Sequence, residues 1–187
     1  MNIAVMGFKD KRHIMYSLLK ILSPAGRTAF ITTNPCYRQL SEDFSSEFEI
    51  EDTDFLVLSD SLYSAEEYLD IGSYDFVIYD AIVEVPERIE VSVITDHEEL
   101  YRQAIDEMDK KPTFKFIESK NAKKDEKSIS FIKASAVEDI LEKIENDREF
   151  YPITSYFHNK AMAELLSRAT GMDKGKIIAY LKKGSKK

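Results

Sequence analysis

The run Tyr74-Asp75-Phe76-Val77-Ile78-Tyr79-Asp80 constrains this chain more than any other stretch. It is short, almost wholly apolar, rich in β-branched and aromatic side chains, and preceded by the turn pair Gly72-Ser73. Such a run reads as a strand buried on both faces, the kind found in parallel sheets covered by helices. In open α/β sheets the ligand crevice lies beyond the carboxyl ends of the strands. Asp80, which closes the run, is therefore placed where a nucleotide-bound metal or a phosphoacceptor would sit.

Strands and helices alternate along the rest of the chain. Ile3 to Met6 predicts a first strand running into Gly7. Ile14, Leu18, Leu19, Ile21 and Leu22 then recur at helical spacing until Ser23-Pro24-Ala25-Gly26 stops them. Residues 28–32 predict a second strand and Asn34-Pro35 a turn, so the opening reads as a βαβ unit with a right-handed crossover. Further strands are expected at 55–58, 91–95, 114–117 and 128–132, and helical segments at 64–69, 97–108 and 137–144. In the first of these segments Ser64 is the expected N-cap and Glu67 completes a capping box. Residues 121–127 read as a charged loop. The pattern predicts a three-layer, doubly wound α/β fold with a mostly parallel sheet and a C-terminal helical appendage. The division expected is an α/β domain over 1–150 and a basic helical tail over 151–187.

Charge separates those two parts. The whole chain carries a formal −8. From Ile153 to Lys187 eight lysines and arginines face two acids, a net +6, which leaves −14 on the first 152 residues. The protein as a whole is therefore no nucleic-acid sponge, while the tail calls for a partner of its own or for the acidic body. Residues 41–54 hold seven acids and no base. They read as a solvated loop or edge strand, or else as a docking surface for a basic partner. The single cysteine, Cys36, excludes an intrachain disulfide and fits a reducing, cytoplasmic setting; without a local signature it reads as a small half-buried residue. No apolar stretch approaches the ~20 residues of a membrane span. His13, His97 and His158 show no metal-ligand spacing, and no nucleophile elbow is present, so neither a metal nor catalytic residues are expected.

The order of elements resembles the MinD/ParA-like branch of P-loop ATPases over residues 1–144. Three pieces carry the resemblance. The first strand runs into Gly7 and a helix, the run ending at Asp80 is similar to that family's Walker B strand, and the strand ending Val93-Ile94-Thr95 leads into a helix. The phosphate loop departs from the pattern. A Walker A loop needs glycines for backbone wrapping, a lysine for the β/γ charge and a hydroxyl for magnesium. Laid on Gly7, the second glycine falls on Arg12, the lysine on His13 and the hydroxyl on Ile14, while the family's extra lysine falls on Phe8. The loop is still basic, so Gly7, Lys9, Lys11, Arg12, His13 and Asp80 stand as nucleotide- or anion-binding candidates through charge alone.

The resemblance thus implies a degenerate member similar to atypical TadZ/CpaE-type proteins. Such a member is a non-catalytic, ATPase-like scaffold that binds proteins, positions a larger assembly and forms a homodimer. No cofactor is expected, with residual ATP binding left open and hydrolysis not expected. Two alternatives remain. Leu165 to Leu181 resembles a helix-turn-helix with Gly171 in its turn, making Lys174, Lys176, Lys182 and Lys183 DNA- or partner-binding candidates; the same pattern fits a terminal helical hairpin packed on the sheet. Asp80 and Thr95 also match a response-regulator receiver, although Gly7-Phe8-Lys9 stands where a receiver needs an acidic pair.

Overall fold

The computed structural model describes residues 1–82, 86, 88–95, 112–118, 128–131, 137–151, 153 and 155–182. Its strands are β1 (Asn2–Met6), β2 (Thr28–Thr32), β3 (Glu47–Ile50), β4 (Thr53–Val57), β5 (Phe76–Ala81), β6 (Val91–Ile94), β7 (Phe114–Glu118) and β8 (Ser128–Phe131). Its α-helices are α1 (Arg12–Leu22), α2 (Val137–Asp147), α3 (Tyr156–Thr170) and α4 (Lys174–Lys182). The strands form one sheet in the order β3-β4-β2-β5-β1-β6-β7-β8. Every pairing is parallel except β3 with β4.

Side chains alternate across this sheet into two apolar layers. Ile3, Val5, Phe30, Phe55 and Ile78 enter the larger core with α1, α2, α3 and α4. Ala4, Met6, Ala29, Ile31, Val77 and Tyr79 face the other way, against Leu62 and Ala65 of a 3-10 helix. Burial on both faces is why β1, β2 and β5 read as unbroken apolar runs. The fold is therefore α/β with a mostly parallel sheet and helices at its C-terminal end.

Several local expectations change. β5 lies between β1 and β2, so the opening strand-helix-strand unit crosses over a third strand, a placement the sequence reading left open. The segment expected as a helix from Ser64 is a 3-10 helix over Leu62–Glu67, and its N-cap is Ser61, whose hydroxyl accepts from Tyr63 N. β4 starts two residues early, at Thr53, because it closes a two-residue hairpin with β3. Glu51 (φ 45°) and Asp52 (φ 62°) take the left-handed conformation such turns require. The acidic stretch thus supplies an edge strand. The helix expected at 97–108 and the loop at 121–127 lie outside the described residues.

The C-terminal helices are part of the main core. Phe150 packs on Tyr16 and Phe55 at ring distances of 5.9 and 6.2 Å. The Ser155 hydroxyl caps α3 by accepting from His158 N, and Gly171 ends it at φ 75°. α3 rests on β8 and α1, and α4 rests on α3 and α1, burying Leu165, Leu166, Ile177 and Leu181. Among the described residues no helix is long and apolar enough to cross a membrane.

A buried polar contact joins α1 to α3. Ser17 Oγ donates to the His13 carbonyl at 2.7 Å, so its proton is committed, and His158 Nε2 donates to Ser17 Oγ at 3.0 Å. Burial, then the charge of His13, pushes His158 down from 6.5 to about 3. His158 stays neutral in the folded chain while the unfolded chain takes up a proton below about 6.5. Stability conferred by this neutral imidazole is therefore whole above that pH and declines as pH falls, by up to about 1.4 kcal/mol per pH unit. Urea unfolding of the wild type between about pH 6.5 and 5 should show this slope, and His158→Gln should flatten it. Equal slopes would remove the assignment.

Candidate functional site

Val5 of β1 sits beside Asp80 of β5, and Met6 beside Ala81. The chain leaves β5 and crosses β1 to form β6. Strand order turns about this central pair, and a switch of that kind opens a crevice at the carboxyl ends. Gly7 closes the crevice floor, donating its N–H to Ala81 O at 3.2 Å and Ile82 O at 3.0 Å. It does so at φ 141°, a conformation open to glycine and strained for residues with a Cβ.

Lys11 fills the space above it. Its ammonium lies 3.0 Å from Asp80 Oδ1, with both side chains under a tenth exposed. The same ammonium donates to Gly7 O at 2.7 Å and to Lys9 O at 3.4 Å. The loop therefore curls around the lysine with its carbonyls inward. A phosphate cradle needs the reverse, amides inward. Tyr37, fully buried, lies against the same carboxylate: burial, then the charge of Asp80, holds its phenol well above the ordinary value.

The amino end of α1 is taken as well. Asp10 Oδ1 accepts from Arg12 N at 3.0 Å, and the Lys11 carbonyl accepts from Ile14 N and Met15 N at 2.8 and 2.9 Å. The protein's own carboxylate thus occupies the point where a helix terminus attracts an anion. Burial opposes ionisation at Asp10, but hydrogen bonds from Arg12 outweigh it and carry the carboxyl below its usual value. Arg12 forks onto Asp10 at 2.7 to 3.1 Å and reaches Glu145 of α2 at 2.6 Å, so both ends of the guanidinium are used. Tyr16 OH donates to the same Glu145 oxygen at 3.1 Å. Burial, opposed by the charge of Arg12 and aided by Asp10, Asp80 and Glu145, pushes the half-buried Cys36 thiol up to about 11, which keeps it protonated and unreactive near neutrality.

The structure thus gathers Gly7, Lys11 and Asp80, sets Arg12 on an acidic rim, and turns His13 into the α1–α3 interface, its ring 5.6 Å from that of His158. Lys9 contributes its carbonyl to the Lys11 ammonium. Thr95 donates its hydroxyl to Met6 O at 3.2 Å. In the tail, Lys174 pairs with Glu164, which also takes Arg168 at 2.7 Å, while Lys176 is exposed. The Lys182 side chain and Lys183 lie outside the described residues. Among the described residues no group of three or more His, Cys, Asp or Glu is arranged to hold a metal ion. Sequence reasoning missed Tyr37 and Glu145. Neither stands in a motif, and only the packing of neighbouring elements brings them to the crevice. A cleft of about 730 Å³ opens at the amino-terminal end of β1, lined by Met1, Glu66, Tyr68, Asp70, Tyr74 and Arg88.

No protein-family model matches this sequence. No curated protein matches it either. Solved structures do. The MinD cell division protein of Aquifex aeolicus superposes with a TM-score of 0.62 at 12% identity, over 92% of this chain and 97% of that one. A protein assigned to plasmid partition in Borrelia burgdorferi B31, solved bound to AMPPNP, superposes with a TM-score of 0.57 at 10% identity, over 89% of this chain and 98% of that one. At these identities the likeness is one of fold, and the fold is MinD/ParA-like.

The buried pair sets a stability test. At an effective dielectric of about 20, charges 3 Å apart attract by roughly 5 kcal/mol, which desolvation of both ions largely offsets. Removing one partner leaves the other charged in the interior, at a cost of about 3–5 kcal/mol. Lys11→Met should lose that much in urea unfolding, and adding Asp80→Asn should restore most of it. A loss below ~1 kcal/mol for Lys11→Met would show that the pair is solvated rather than buried.

Proposed function

We propose that this chain, a protein with the MinD/ParA-like fold, is a non-catalytic scaffold or regulator that binds other proteins and helps position a larger assembly. The observation that carries the reading is the Lys11 ammonium seated on Asp80 inside the first loop. For magnesium to reach Asp80, Lys11 must leave. For a phosphate to reach the end of α1, the Asp10 carboxylate must leave and the loop carbonyls must turn outward. Ile14 then offers no hydroxyl to a metal, and His13 is committed to the interface with α3. What persists is a rigid sheet with its crevice loops packed shut, which suits a binding platform.

The reading accords with structural neighbours whose names concern cell division and plasmid partition. It also gives the acidic body and the basic hairpin separate surfaces for partners. A DNA-binding role for α3–α4 is the second reading, supported by the αα pair about Gly171 and by the exposed Lys160 and Lys176. Among the described residues Lys174 is held by Glu164, which leaves Lys160 and Lys176 as the exposed lysines of that pair, and binding to duplex through them would be steeply salt-dependent.

Calorimetric titration with Mg-ATP, alongside a phosphate-release assay, tests the proposal. No binding heat and no release above the blank are expected. Turnover that disappears in Asp80→Asn would overturn it.

A further inference from the structure

Two surface features at opposite ends of the molecule complement each other. The first is a knob. Phe44 is 67% exposed and takes a left-handed φ of 56°, which is uncommon for a bulky side chain. Its loop is fixed by hydrogen bonds: Ser45 N donates to Ser41 Oγ and Asp43 Oδ1 at 3.2 Å each, and Ser41 Oγ donates to Asp43 at 2.6 Å. The ring is thus held outward by an ordered turn, with Glu42, Asp43 and Glu47 around it. Glu47 and Glu49 are exposed and meet no cation among the described residues.

The second feature is an apolar groove of about 360 Å³ between the end of α1 and α4. Ile21, Pro24, Met172, Ile177 and Tyr180 form its walls, and Lys176 stands on its rim. Asp173 lies there too and keeps its charge, its carboxylate accepting from Lys176 N at 2.8 Å at the start of α4. One wall of the groove comes from the basic segment after residue 152 and the other from the end of α1, while the knob stands in the acidic stretch 41–54.

One copy cannot join its own knob to its own groove. β3 runs against the other strands, so the Phe44 loop stands at their carboxyl end, on the β3 edge. α1 starts at that end and finishes at the other, about 16 Å away, and the groove lies where it finishes.

The geometry points to head-to-tail self-association. Phe44 of one copy seats in the groove between α1 and α4 of the next, and Lys176 meets the Asp43 and Glu47 carboxylates. A knob and a pocket on different parts of one surface make a heterologous contact, which grows into rings or open chains instead of stopping at two. This inference rests on the protein-binding role proposed above and names its first partner, a second copy of this chain. One aromatic knob buries much less than the ~1,200 Å² of a stable interface, so the contact is weak and concentration-dependent. Its charged rim makes it salt-sensitive, because screening shortens from about 10 Å at 0.1 M to about 3 Å at 1 M.

Sedimentation of the full chain across a concentration series reads this directly. At low salt the average mass should climb past twice the monomer, and high salt should lower it. Phe44→Ser should weaken association about ten-fold or more, as loss of an anchoring aromatic does. Ala25→Trp, which fills the groove from an exposed position, should do the same. Mixed together, Phe44→Ser keeps a groove and Ala25→Trp keeps a knob, so the two should form a one-to-one pair that grows no further. Monomer mass at every concentration, or a dimer that neither change weakens, overturns the inference. So does a monomer whose basic hairpin instead shifts duplex DNA and loses that shift in Lys176→Glu. None of these outcomes depends on nucleotide, so each leaves the non-catalytic reading to its own test.

Discussion

The buried ion pair between Lys11 and Asp80 is the constraint to which the rest of the crevice is fitted. A carboxylate buried at the carboxyl end of a central strand must be neutralised, hydrated or bound to metal, because burial strips its hydration. Here the neutralising charge comes from four residues beyond Gly7. To deliver it, the loop turns its Gly7 and Lys9 carbonyls onto the ammonium. That choice fixes Gly7 in its left-handed conformation and sends α1 off one residue later. The buried Tyr37 phenol lies near the same Asp80 carboxylate. A lysine in that place does within one chain what a cation and its ligand do between two molecules.

A second substitution of like kind occurs at the start of α1. Helix amides attract anions, and the Asp10 carboxylate answers that attraction from two residues away. Arg12 then balances Asp10 and reaches Glu145, which ties α1 to α2 through charge as Phe150 ties the same region through packing. The crevice lies at the carboxyl ends of β1 and β5, and side chains of the chain itself meet each electrostatic demand there. The buried ion pair and the inward turn of the loop carbonyls are then two consequences of one arrangement. The same economy shapes the far side of α1, where a neutral His158 and Ser17 join helices that a charged imidazole would part.

Much of this was legible beforehand for a physical reason. Strands buried on both faces write themselves as continuous apolar runs, so β1, β2 and β5 and the place of Asp80 followed from composition and length alone. Gly7 stood out because the first strand runs into it before a helix, where a phosphate loop of the Walker A kind would begin. What failed was whatever depended on neighbours distant in sequence. Nothing local says that β5 inserts between β1 and β2, since insertion depends on which apolar edges meet. Ser61 and Ser64 are equally good caps by type, and only the 3-10 geometry selects Ser61. Lys9, Lys11 and Arg12 looked alike as loop cations. Their fates separated when Lys11 alone had the reach and the slope to meet Asp80, while Arg12 found Asp10 beside it. Tyr37 and Glu145 were invisible because each arrives from another element.

The central claim is that an ammonium group, and not a phosphate or a metal, occupies the floor of this crevice. A crystal structure grown with saturating magnesium and AMPPNP tests it most directly. The account requires Lys11 Nζ within hydrogen-bond reach of Asp80, with no phosphate density along Gly7 to Arg12. Lys11 swung out to solvent, with a triphosphate lying on inward-facing amides and magnesium beside Asp80, would contradict it.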